Sequence, residues 1–182
     1  MTTPAAISPQ HLRRCRTKHA QSDGYGRHRH LYLHDTMRAL AATVAAERGR
    51  PATLFDYGCG KGRFMEEMRG LGVFGEIAGY DPGVATFEAL PNAQYDIVTC
   101  LDVLDAAERF VDGVIADVAR ITAHTAVFDC LTKPAPKSGF KPRPAFYWVR
   151  LVAKTMRVEK TEMHFLGLAD FERAVIFAKS PS

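Results

Sequence analysis

The sequence predicts a doubly wound, mostly parallel α/β sheet, and three observations carry that reading. Short apolar segments rich in β-branched and aromatic residues alternate with stretches whose apolar positions recur at helical spacing. A glycine-rich run, Gly58-Cys59-Gly60-Lys61-Gly62, stands between the first such strand and the helix after it. The chain has 182 residues, 47% of them hydrophobic and 24% charged, enough for one buried core without disulfide or metal staples. Strands that alternate with helices at short spacing pair in parallel, with helices on both faces of the sheet.

The elements follow in order. Residues 1–30 hold few large apolar side chains and many basic ones, so they read as a loose basic N-terminal arm ahead of a single domain over 31–182. Leu33, Met37, Leu40 and Val44 follow the helical period, and Gly49 stops that helix. Thr53 to Tyr57 is a short buried strand, and Phe64, Met65, Met68 and Leu71 form one helical face beyond the glycine run. Ile77 to Tyr80 is a second strand, closed by Asp81 and Pro82. Tyr95 to Val103 is a third strand, and Phe110 to Ile121 gives an amphipathic helix. Ala126 to Cys130 is a fourth strand, and the proline-rich stretch Pro134 to Pro144 is a loop. Trp148, Val149, Val152 and Met156 suggest a last helix; Val158–Phe165 and Ala174–Ala178 close the chain as a pair of strands.

Composition excludes several classes. No apolar stretch reaches ten residues, so no membrane helix is expected. The N-terminus runs into Arg13, Arg14 and Arg16 rather than an apolar signal core, so a cytoplasmic location is expected. Cys15, Cys59, Cys100 and Cys130 lack C-x-x-C spacing, which indicates neither a zinc ribbon nor a redox pair. The net charge of +4 is segregated: nine Lys/Arg stand against three Asp/Glu in residues 1–50, five against thirteen in 51–130, and eight against one in 131–160. An acidic middle between basic ends suggests one surface suited to an anionic partner.

The stretch Leu54 to Phe64 carries the chemistry. A strand enters it, a helix leaves it, and glycines two apart let backbone N–H groups at a helix N-terminus approach a ligand. A Walker loop requires Gly-Lys-Ser/Thr, and Gly60-Lys61-Gly62 does not supply it. A dinucleotide fingerprint requires Gly or Ala where Arg63 stands. The segment Asp56 to Gly62 instead resembles the first motif of class I S-adenosylmethionine-dependent methyltransferases, an acidic residue followed by Gly-x-Gly-x-Gly. Asp81, nineteen residues beyond Gly62, matches the family's acidic residue for the ribose hydroxyls. A carboxylate there can accept two hydrogen bonds from a vicinal diol. Tyr95 to Leu104 looks like the family's fourth-strand motif, whose end lines the adenine and methyl-donor pocket.

The resemblance implies a Rossmann-like methyltransferase fold and S-adenosylmethionine as cofactor. It implies cofactor contacts from Asp56, Tyr57, Gly58, Cys59, Gly60, Gly62, Asp81, Pro82, Cys100, Leu101 and Asp102. Only thirteen residues separate Asp81 from Tyr95, too few for the helix and strand the full fold places there. That unit is therefore expected to be abbreviated to about Thr86–Leu90, with adenine contacts supplied from elsewhere. Methyl transfer from a sulfonium needs chiefly an aligned acceptor, and a base only if the acceptor loses its proton early. Asp102 and Tyr25 are the candidate catalytic residues and Tyr147 is a further acceptor-site candidate; Asp105 is a general-base candidate by position but reads rather as a surface or helix-capping carboxylate. Trp148 with Phe146 and Tyr147 is either a hydrophobic anchor or an aromatic wall near the acceptor.

His28, His30 and His34 fall on neighbouring turns, but no Cys or carboxylate completes a metal pattern, so no metal is expected. The acceptor is expected to be a small molecule or nucleic acid, anionic in character, met by Arg27, His28, Arg29, Lys137, Lys141 and Arg143 at the pocket entrance. Two further readings stand beside this one: a cofactor-binding module without turnover, and a nucleic-acid-binding protein using its basic ends.

Overall fold

Six strands form one sheet in the computed structural model, which describes residues 9–22, 30–107, 110–132, 143–166 and 171–180. The strands are β1 (Ala52–Tyr57), β2 (Phe74–Tyr80), β3 (Tyr95–Leu101), β4 (Thr122–Leu131), β5 (Arg157–Leu166) and β6 (Phe171–Lys179). Their order across the sheet is β2-β1-β3-β4-β6-β5. The first four run parallel, and β6 pairs antiparallel with both β4 and β5. The direction of strand addition reverses between β1 and β3, so their carboxyl ends flank the crevice where open α/β sheets hold ligands.

The described residues include six α-helices: α1 (Pro9–Gln21) and α2 (His34–Arg48) ahead of β1, then α3 (Arg63–Leu71), α4 (Leu104–Ala107), α5 (Val111–Ile121) and α6 (Ala145–Val152) between strands. The sheet alternation divides the core in two. Leu54, Ile97, Val127 and Val175 pack with Met37 and Val44 of α2 and Phe64 and Met68 of α3. Phe55, Val98, Phe128 and Ile176 pack on the other face with Val114 and Ile115 of α5 and Trp148 and Val152 of α6. Gly49 ends α2 in the left-handed region, with its N–H bonded to Ala45 O at 2.9 Å, as the sequence predicts.

The expected abbreviation is present. Between Asp81 and Tyr95 the chain forms a single 3-10 turn, Ala85–Phe87, and β2 is an edge of the sheet among the described residues. The loose arm is corrected in part, because residues 9–21 of it form α1. Its sequence hides the helix because the inward positions Leu12, Cys15, Lys18 and His19, at helical spacing, are mostly not apolar. Met156 lies beyond the end of α6 rather than within it, yet is buried. Trp148 acts as the anchor of α6: it is buried and donates Nε1–H to Leu131 O at 3.3 Å, whereas Phe146 is exposed. The greater part of Pro134–Pro144 lies outside the described residues. No helix among the described residues is long and apolar enough to cross a membrane.

Candidate active site

The turn from β1 into α3 is tied to the end of β2 by its own backbone. The N–H groups of Gly58 and Cys59 both donate to Tyr80 O, at 2.7 and 3.0 Å. Gly60 N–H donates to Asp81 Oδ2 at 3.0 Å, and Gly83 N–H donates to Asp81 Oδ1 at 2.8 Å. Gly58, Gly60 and Gly62 all have positive φ, at 82°, 54° and 81°. At Gly58 a Cβ would also stand 2.3 Å from Val103 Cγ2, so the turn cannot form there with a side chain. This refines the sequence reading, in which the glycine N–H groups face a ligand. The N–H groups of Gly58, Cys59 and Gly60 hold β2. Those of Arg63, Phe64 and Met65 precede the first intrahelical bond, from Glu66 N–H to Gly62 O.

A small cleft of ≈ 40 Å³ opens beside this turn. Six of the expected residues line it: Asp56, Gly58, Cys59, Gly60, Leu101 and Asp102. Gly62, Asp81 and Pro82 are not among the lining residues, and Asp81 is tied to the cleft through the Gly60 N–H. The side chains of Tyr57 and Cys100 do not line this cleft. Each is the strand neighbour of a cleft residue, so alternation turns it to the opposite face. There Tyr57 O–H donates to Asp117 Oδ2 at 3.1 Å, and Cys100 is sealed in the α5 core. Tyr25 lies outside the described residues, as do Arg27, His28, Arg29, Lys137 and Lys141. Arg143 is described; its guanidinium stands 5.1 Å from the centroid of the half-exposed Tyr147 ring.

Three cleft residues escaped the sequence reading: His30, Arg63 and Phe64. His30 belongs to a network at the carboxyl ends of β3 and β4. Its Nε2 lies 3.7 Å from Asp102 Oδ2, and its Nδ1 lies 3.6 Å from Asp129 Oδ2. Tyr32 O–H donates to Asp129 Oδ2 at 2.5 Å. Arg173 donates from Nε to Asp129 Oδ1 at 2.8 Å and from Nη2 to Asp102 Oδ1. Asp102 itself sits at φ 58°, the one non-glycine residue with positive φ among the described residues. His30, Asp102 and Asp129 approach closely enough to share a cation. Arg173 already serves both carboxylates as that cation. His34 is placed elsewhere, 3.2 Å from Glu67 on α3.

Burial governs the electrostatics. Asp129 is fully buried, which raises its pKa, with Arg173 opposing the rise. The Asp56 carboxyl is pushed up to about 7 by burial, although Thr99 Oγ1–H donates to it at 2.8 Å. Asp105 is corrected: it is 7% exposed, not a surface residue. Its Oδ1 has no hydrogen-bond partner among the described residues, and burial together with the Asp102 charge pushes its carboxyl up to about 7. Placing Leu104 and Ala107 of the short α4 in the core draws Asp105 inward with them.

The glycine turn, the acidic residue at the end of β2, and a sheet with one unit shortened define a nucleoside-binding α/β architecture. A family model described as a methyltransferase domain matches residues 25–135, more than half of the chain. The chain belongs to that family, and it is a class I S-adenosylmethionine-dependent methyltransferase. The solved structures it resembles agree in fold. A 1,6-didemethyltoxoflavin-N1-methyltransferase from Burkholderia thailandensis superposes with a TM-score of 0.66 at 15% identity, covering 100% of this chain and 94% of that one. The magnesium protoporphyrin IX methyltransferase from Synechocystis PCC 6803 gives 0.62 at 17%, covering 98% and 100%. Geranyl diphosphate C-methyltransferase from Streptomyces coelicolor A3(2) gives 0.59 at 12%, also covering 98% and 100%. No curated protein sequence matches the chain.

Proposed function

We propose that this methyltransferase binds S-adenosylmethionine over the β1–α3 turn and methylates a small molecule that carries a phosphate or carboxylate. One observation carries the cofactor half: Asp81 is locked at the end of β2 by the Gly60 and Gly83 N–H groups. Each of its oxygens accepts one of these bonds and keeps further acceptor capacity, which suits a vicinal diol. The residues present therefore fit the cofactor's ribose. The first-turn N–H groups of α3 suit its carboxylate. When bound, S-adenosylmethionine supplies a methyl group activated by the attached sulfonium.

The chain's own residues then have to align the acceptor and exclude water. Asp102, at the end of β3, lines the cleft and is held by Arg173. We assign it a positioning role toward the acceptor, because its ionised form is already committed to a guanidinium. Tyr25 remains a candidate for the acceptor side. The anionic acceptor is supported by the basic blocks at residues 1–50 and 131–160. Among the similar structures, one was crystallised with geranyl diphosphate, an anionic ligand. No specific observation favours the module without turnover or the nucleic-acid reading.

The test is to incubate the protein with isotopically labelled cofactor and a metabolite extract, and to identify labelled products by mass spectrometry. The expected product carries a phosphate or carboxylate, and its kcat/KM falls as salt rises. A neutral or cationic product whose kcat/KM is flat with salt would remove the anionic acceptor.

A further inference from the structure

The shortened unit after β2 poses a spatial question, because the chain between Asp81 and Tyr95 offers only a 3-10 turn to cover the carboxyl end of an edge strand. Helix α1 lies there instead. His19 Nε2 stands 3.7 Å from Asp81 Oδ1, and the two side chains are 9% and 13% exposed. Gly83 is in such close contact with the helix that a Cβ on it would stand 2.9 Å from His19 Cδ2 and 3.1 Å from Cys15 Cβ. Arg16 pairs with Glu88 at 3.2 Å, just past the 3-10 turn. Lys61 Nζ, in the glycine turn, donates to Ser22 O at 2.9 Å, just past the end of α1. The helix thus bridges the turn after β1 and the loop after β2.

We propose that α1 replaces the missing strand–helix unit as the wall of the adenosine half of the cofactor site, with His19 as a second ribose-binding side chain beside Asp81. The proposal rests on the cofactor reading above and adds a binding element from a segment that the glycine motif does not reach. A separation of 3.7 Å is too long for a direct hydrogen bond. It still lets one hydroxyl oxygen stand about 2.8 Å from both atoms. Burial lowers the imidazole pKa against the pull of Asp81, with Lys61 acting in the same direction as burial. The neutral ring can then meet one hydroxyl through Nε2, as donor or acceptor according to its tautomer. The small Cys15 side chain lets the helix backbone come close enough for His19 to reach.

The test uses S-adenosylhomocysteine as the probe and the full chain throughout. Calorimetry is run on the wild type, Asp81→Ala, His19→Ala and Cys15→Trp, the last placing bulk between α1 and Gly83. His19→Ala is expected to weaken binding by about 5- to 10-fold, the worth of one net hydrogen bond. Cys15→Trp is expected to weaken it at least as much, because the whole wall is displaced. Hydrogen exchange of α1 amides in the wild type is expected to slow when the probe binds, which a helix with a purely structural role would not show. Normal or tighter binding by both α1 variants, with Asp81→Ala impaired and α1 exchange unchanged, would overturn the proposal while sparing the cofactor reading. Failure of the wild type to bind would overturn both.

Discussion

The β1–α3 turn and the polar network beyond β3 face the same cleft but are held by different forces. The turn is a backbone device: Tyr80 O, the Asp81 carboxylate and three left-handed glycines shape it within a short stretch of chain. The network is a side-chain device assembled from distant segments, with Tyr32 and Asp129 separated by 97 residues. Backbone devices tolerate changes of side chain except where a Cβ cannot fit. Buried charge networks fail when any single partner is removed. On the proposed function, the turn serves the cofactor and the network beyond β3 serves the acceptor.

Variants can break each half separately. The largest effect is expected for Arg173→Met, which leaves Asp129 buried without its cation. Losing one partner of such a pair costs about 3–5 kcal/mol, measurable by urea denaturation. Gly58→Val should cost about 2–4 kcal/mol, because a β-branched residue at positive φ is strained and its Cβ overlaps Val103. It should also abolish cofactor binding, whereas Arg173→Met, if refolded at low temperature, should leave binding within a few-fold. If Arg173→Met abolished binding and Gly58→Val did not, the division between the halves would be wrong.

A smaller effect follows from Asp105, and its sign depends on pH. The folded protein holds a proton on this carboxyl up to a pKa of about 7, whereas the unfolded chain releases it near 3.8. The folded state binds more protons between those values, so stability falls as pH rises from about 4 to 7. Asp56 contributes with the same sign. Asp105→Asn removes its share of the penalty, so it should raise stability by about 1–2 kcal/mol at pH 8 and leave it nearly unchanged at pH 4. Denaturation curves at the two pH values check this. An equal effect at both would mean that Asp105 does not titrate as described.

The same division decides what the sequence could reveal. The glycine turn, Asp81 and the strand–helix alternation are local, and each leaves a pattern within about 30 residues. The network left only a faint trace: Asp129 stands as one charge inside the apolar run Ala126 to Leu131, a sign that a partner waits elsewhere. Nothing near Arg173 or His30 identifies either as that partner, because β4 and β6 meet only through the antiparallel return of the chain. The side chains of Tyr57 and Cys100 turn away from the cleft for a different reason. A family motif is a contiguous string, but strand alternation sends every second side chain away from the site. Helix α1 leaves no clear apolar period because Lys18 and His19 share its inward face with Leu12 and Cys15.

The central claim is that the glycine turn and Asp81 together form the cofactor site, and calorimetric titration with S-adenosylmethionine tests it most directly. The expected result is one site per chain with micromolar affinity, on the order of −7 to −8 kcal/mol. Asp81→Ala should weaken it by about 1.5–3 kcal/mol through loss of charged hydrogen bonds. No binding of S-adenosylmethionine by the folded wild type, or binding that Asp81→Ala leaves unchanged, would contradict the claim.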